Sequence, residues 1–169
     1  MFFKFLILIG LIENISTTML DEIDLRILRL LQAKSDLTTK ELANKVNLST
    51  TPVFERVKKL EKGGYIKNYI AVLDAEKLNK GLMVFCNVTL KEHTREIGTQ
   101  FVTDILKLKE VVECYNISGD YDFFLKILVS DMKEYQNFVL DHLGSIKNIG
   151  SAHSTFVMGE IKNSYAVPI

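Results

Sequence analysis

The run Thr38 to Ile66, TTKELANKVNLSTTPVFERVKKLEKGGYI, constrains this chain more than any other, because it writes two short helices joined by a tight turn. Thr38 or Thr39 opens the first helix as its cap, with Glu41 placed to return a hydrogen bond to Thr38, and Leu42, Ala43 and Val46 supply an inward face. Asn47 and Leu48 make the turn. Ser49 is the expected N-cap of the second helix, its hydroxyl accepting an orphan backbone N–H, and Pro52 falls inside the first turn, where no intrahelical donor is lost. Gly63 and Gly64 end it. Val53, Val57 and Leu60 recur at helical spacing and face inward, which leaves Thr50, Thr51, Arg56, Lys58, Lys59 and Lys62 pointing outward. A face of short hydroxyls and long cations suits phosphates and base edges.

Upstream, Asp21 to Ala33 reads DEIDLRILRLLQA, with Ile23, Ile27, Leu30 and Leu31 on one face, acids in the first turn and Arg26 and Arg29 later. This is the first helix of a three-helix cluster. Downstream of the glycines, Tyr65 to Leu73 is rich in Tyr, Ile and Val and predicts the strand or hairpin arm of a wing. A winged helix-turn-helix domain is therefore expected over residues 19–74, with a polar linker at 75–81.

Beyond Gly81 the pattern changes. Strand signals lie at Leu82 to Leu90, Val111 to Ile117, Phe123 to Val129 and Ile149 to Met158, with helical segments at about Thr94 to Leu106 and Met132 to Leu143. The order β-α-β-β-α-β is the split ferredoxin-like arrangement, expected over residues 82–169: an antiparallel sheet with two helices on one face. The central hairpin turns at Ser118, Gly119 and Asp120. The fold class is thus α+β.

Overall charge is zero, so any hint of a polyanionic partner must come from its distribution. Leu20 to Lys80 holds 12 Lys and Arg against 9 Asp and Glu, whereas Gly81 to Ile169 holds 8 against 11. The small basic excess falls on the helix-turn-helix. Cys86 and Cys114 sit in apolar alternating runs and read as core residues, and His93, His142 and His153 share no ligand spacing with them, so no metal and no cofactor is expected. Residues 1–18 contain the apolar run FFKFLILIGLI, too short to span a bilayer as a helix. It reads as a packing segment or as a stretch from an upstream start, with Met19 the working start, since a targeting signal conflicts with a DNA-facing domain. A cytoplasmic protein that does not enter the membrane is expected.

Several stretches resemble the Lrp/AsnC family, the feast/famine regulators of transcription. Leu20-Asp21-Glu22-Ile23-Asp24 with Ile27-Leu28 is similar to the family's opening helix, and Leu48-Ser49 through Arg56-Val57 to Leu60-Glu61 and Gly64-Tyr65-Ile66 to its recognition helix and exit. Gly119-Asp120-Tyr121-Asp122 resembles its central turn, and Thr155-Phe156-Val157-Met158, Glu160-Ile161-Lys162 and Ala166-Val167-Pro168 its last strand and C-terminus. The resemblance covers about Met19 to Ile169. It implies sheet-to-sheet homodimers through the second domain, often assembled into octamers, and an amino acid bound between dimers.

For double-stranded DNA the candidate residues are Ser49, Thr50, Thr51 and Phe54 near base edges or sugar, and Arg56, Lys58 and Lys59 on phosphates or a guanine edge, with Thr38 and Thr39 added from the first helix. Arg56 has a second option, since its spacing from Val53 and Leu60 lets it pair with Glu41 or Asp36. A single recognition helix reads few base pairs, so a homodimer is expected on physical grounds, with the strand edges and the uncovered sheet face as the means. The candidate effector residues are Ser118, Gly119, Asp120, Tyr121 and Asp122, completed by His153 and Thr155 on one face of the last strand. Acceptors and donors of this kind suit a free amino acid; taken on residues alone, an ordinary hairpin turn with solvated acids is the alternative. No catalytic set of nucleophile, base and orienting group is present in the pattern, which leaves a ferredoxin-like enzyme a weak rival, beside an architectural DNA-binding protein without an effector or a pure protein-interaction module.

Overall fold

The computed structural model describes residues 20–169; the apolar segment at 1–18 lies outside the described residues. Residues 20–72 and 162–169 form one unit and 73–161 a second.

In the first unit, α1 (Glu22–Ala33), α2 (Thr39–Val46) and α3 (Thr50–Lys62) enclose a small core of Ile27, Leu31, Leu42, Ala43, Val46, Val53 and Leu60. Local sequence explains each start. Asp21 caps α1 and accepts from the Asp24 N–H at 2.8 Å, while the Asp24 carboxylate accepts from the Asp21 N–H at 3.3 Å. Thr38 and Glu41 form the same reciprocal box at the head of α2, and Asn47 adopts φ 58°, the left-handed conformation that ends it. At α3 the expectation needs correcting: Ser49 occupies the N-cap position but makes no side-chain capping bond. The reason is Pro52, which stands at the third helical position and has no N–H for the hydroxyl to accept.

The expected wing strand at Tyr65 to Leu73 is also corrected, because this stretch pairs with no strand among the described residues. Its β-prone residues have no ladder partner among the described residues, and Tyr69, Ile70, Val72 and Leu73 are exposed. The last eight residues, expected with the second domain, belong to the first unit, where they lie along α1. The Gln32 amide both accepts from the Val167 N–H and donates to the Val167 carbonyl, each at 3.0 Å, and Arg29 Nε donates to the Ile169 carbonyl at 2.9 Å.

The second unit carries β1 (Leu82–Leu90), α4 (Arg95–Ile105), β2 (Val111–Asn116), β3 (Phe123–Val129), α5 (Met132–Asn137) and β4 (Ile149–Phe156) in one antiparallel sheet ordered β2-β3-β1-β4. Alternation divides the sheet. Val84, Cys86, Val88 and Leu90 of β1 and Phe123, Leu125, Ile127 and Val129 of β3 are buried against Phe101 and Ile105 of α4 and Tyr135, Phe138 and Leu143. The other face, with Phe85, Asn87 and Thr89 beside Phe124, Lys126 and Leu128, carries no helix of the described residues. The helix expected from Met132 to Leu143 is shorter: after Asn137 the chain widens into a π-helical turn, Phe138–His142, and a 3₁₀ turn, Leu143–Ser145. There the Leu143 N–H reaches the Phe138 carbonyl, five residues back, and both side chains enter the core.

Candidate nucleic-acid interface and effector turn

On α3, Val53 and Leu60 are buried, Val57 is half-buried, and Thr50, Thr51, Pro52, Phe54, Glu55, Lys58, Lys59 and Lys62 are exposed. The helix offers one mixed polar and apolar face. Phe54 is 47% exposed, unusual for a large apolar ring, with the Lys58 ammonium 5.8 Å from its centroid. Lys58 also pairs with Glu61 at 2.8 Å, and the Tyr69 hydroxyl donates to the other Glu61 oxygen at 3.1 Å. Lys58 and then Tyr69 hold the Glu61 carboxyl below its ordinary range against the opposing effect of burial. Lys59 and Lys62 have no ion-pair partner among the described residues, so Lys59 is a more available cation than Lys58. Thr38 is engaged with Glu41, and its hydrogen bonds are the first cause of that carboxyl's lowered pKa; Thr39 is half-buried.

Arg56 departs from expectation. It pairs neither with Glu41 nor with Asp36 but with the first turn of α1, its Nη1 lying 2.6 Å from Asp24 Oδ1 and 2.7 Å from Asp21 Oδ2. Asp24, and after it Asp21, raise the guanidinium pKa further. Its outward placement is therefore corrected: at three residues from Val53 and four from Leu60 it lies on the border of the packed face, within reach of α1.

In the second unit the β2–β3 turn leaves Ser118, Gly119 and Asp120 exposed, and Gly119 takes φ 129°, where a side chain would be strained. Tyr121 is half-buried, with its ring 5.5 Å from that of His153. His153 stands opposite Asn87 and Thr155 opposite Phe85, so both are on the helix-free face of the sheet. Asp122 turns away from this group. It is buried, accepts from the Leu90 N–H at 2.8 Å and meets His93 Nε2 at 3.1 Å, while its carbonyl accepts from the Ile117 N–H and the Asn116 amide. Its carboxylate anchors the turn to the end of β1, so the expectation that it faces a ligand is corrected. Asn87 was missed at the sequence level, though pairing β1 with the last strand by alternation would have brought it opposite His153.

Other chemistry is poorly served. Among the described residues no group of His, Cys, Asp and Glu gathers as metal ligands. Burial pushes the Cys86 thiol up to about 11, opposed by its hydrogen bond with Ser154, so at neutral pH it is no thiolate nucleophile.

Comparison with known proteins agrees with this geometry in both units. The winged helix-turn-helix DNA-binding family matches residues 20–67, and the Lrp/AsnC ligand binding domain matches residues 83–167. The chain belongs to the Lrp/AsnC family. It is 36% identical to the DNA-binding transcriptional activator DecR of Escherichia coli, over 89% of this chain and 99% of that one. It is 38% identical to the E. coli leucine-responsive regulatory protein, over 86% and 88% respectively. A transcriptional regulator from Neisseria meningitidis, solved as an L-Met complex, superposes with a TM-score of 0.85 at 35% identity, covering 89% of this chain and 97% of the other. An AsnC family regulator from Agrobacterium tumefaciens gives 0.84 at 37%, over 88% and 97%. This Lrp/AsnC chain is a DNA-binding transcriptional regulator, and among its described residues no helix is long and apolar enough to cross a membrane.

Proposed function

We propose that this regulator reads DNA in the cytoplasm as a homodimer, with α3 in the major groove, and that an amino acid or related small molecule at the β2–β3 turn adjusts its assembly or DNA binding. The observation that carries the reading is the exposed face of α3, where Thr50, Thr51 and Phe54 precede the uncommitted Lys59. Ser49, Thr50, Thr51 and Phe54 meet bases and sugar; Lys59 holds a phosphate, as does Lys58 once released from Glu61; Thr38 and Thr39 sit at the head of the supporting helix. The dimer buries the helix-free sheet face, where the tilted rings of Phe85 and Phe124 lie 5.1 Å apart and Tyr115 lies 6.3 Å from Phe124. Octamers are the higher assembly expected of a family member.

The effector contacts are Ser118, Gly119, Asp120, Tyr121, His153 and Thr155, and the L-Met complex of the Neisseria relative supports trying apolar amino acids first. Gel-shift and sizing measurements on one purified sample, with each amino acid in turn, test the whole reading. The expected outcome is salt-dependent DNA binding that survives excess competitor and shifts with at least one amino acid. Binding without sequence preference or amino-acid response would instead make the protein architectural. Lys59→Gln should lower the slope of log affinity against log salt by about one.

A further inference from the structure

Of the cations on α3, Lys58 pairs within its own helix, whereas Arg56 is committed to the start of α1. Its Nη1 bridges carboxylates of Asp21 and Asp24, and the Asp24 side chain, only 4% exposed, uses both oxygens, Oδ1 for Arg56 and Oδ2 for the Asp21 N–H. A carboxylate withdrawn from water requires a paired cation, so pulling Arg56 away toward a phosphate would leave Asp24 buried and uncompensated. Beyond this pairing, α1 and α3 share the apolar core through Ile27, Leu31, Val53 and Leu60. Such contacts are non-directional and tolerate sliding, whereas a guanidinium held by two carboxylates fixes one helix against the other.

We propose that Arg56 is a positioning residue for DNA reading: it pins the recognition helix to the first turn of α1 and so sets the angle at which Thr50, Thr51 and Phe54 meet base edges. This inference rests on the DNA-binding reading and gives it a specificity determinant that itself stays off the DNA. Asp24 is half of the device, although at 3% exposure it cannot touch a nucleic acid.

The test compares affinity for a duplex enriched from a randomised library by the unaltered protein with affinity for a scrambled duplex of equal length, across a salt series. Arg56→Gln and Asp24→Asn should each cut the ratio of the two affinities by about tenfold, a loss comparable to a mismatched base pair. The double variant should be no worse than either single one, because both remove the same link. The salt slope should stay at the unaltered value in all three. Arg56→Lys keeps the charge but replaces the planar guanidinium, whose Nη1 meets both carboxylates, with a compact ammonium of shorter reach; it is the variant to use if Arg56→Gln does not fold, and it should still lose part of the selectivity. A slope reduced by about one in Arg56→Gln, with Arg56→Lys and Asp24→Asn silent, would make Arg56 a phosphate contact and overturn the proposal. If the unaltered protein enriches no duplex, the DNA-binding reading itself fails and takes this inference with it.

Discussion

Two aspartates, Asp24 in the first unit and Asp122 in the second, are the buried charged residues among those described, and they are neutralised in different ways. Asp24 faces a guanidinium, a cation at every pH the fold survives, and is further fixed by the capping box of α1. Asp122 relies mainly on the Leu90 backbone N–H, helped by an exposed imidazole that carries charge only when protonated. The difference teaches where each unit is rigid. The helix-turn-helix unit holds its buried carboxylate with a permanent ion pair, and the β2–β3 turn, proposed above as the effector site, is held by hydrogen bonds.

The harshest way to break this comparison is Asp24→Ala, which leaves Arg56 with the solvent-exposed Asp21 alone; a loss of about 3 kcal/mol is expected from removing one partner of a buried pair. Urea unfolding measures it, and hydrogen exchange should show the loosening in α1 and α3. Equal loosening in β1 and β3 would mean that the two aspartates do not have separate roles. Asp122→Ala comes next, at about 2 kcal/mol for an orphaned Leu90 N–H, whereas Asp122→Asn should cost about 1 kcal/mol or less because an amide oxygen still accepts that bond. If Asn proved as damaging as Ala, the charge of Asp122 would matter more than its acceptor, and the contrast with Asp24 would narrow.

The smallest effect sharpens the comparison from the surface. Lys80 first, and then the Ser130 N–H, depress the Glu134 carboxyl to about 2 from the ordinary value of 4.5. A depressed folded value stabilises the protein above the unfolded value, and that contribution disappears as pH falls from 4.5 through about 2. Glu134→Gln should therefore flatten this acid limb of the stability curve and leave its neutral region unchanged in slope. An unaltered acid limb in equilibrium unfolding would show that water screens the pair completely.

Strands β1 and β3 were legible to the residue because they alternate strictly, one face apolar against helices and the other mixed. The cap of α2 was legible because Thr38 and Glu41 stand within four consecutive residues, whereas the Asp21–Asp24 box of α1 was read only as acids in a first turn. Arg56 was harder: its partners lie 32 and 35 positions away across a helix crossing, and periodicity pointed it outward with Glu41 or Asp36 as the only alternative partners. The strand expected at residues 65–73 failed for a related reason, since the stretch has the composition of a strand but composition supplies no partner. For the candidate effector site the sequence located the β2–β3 turn and the alternation of β4 that puts His153 and Thr155 on one face. It did not reveal that Asp122 points away from Tyr121, because the direction of that side chain is decided by the Leu90 N–H on another strand. The Val167 contact with Gln32 had no local signal at all.

That last contact bears on the order in which the protein can be finished. Gln32 and Val167 are 135 residues apart. At about 5–20 residues per second of synthesis, α1 exists for roughly 7 to 27 s before its clasp is made. The whole second unit is translated in that interval, so the first unit, though begun earlier, is completed later.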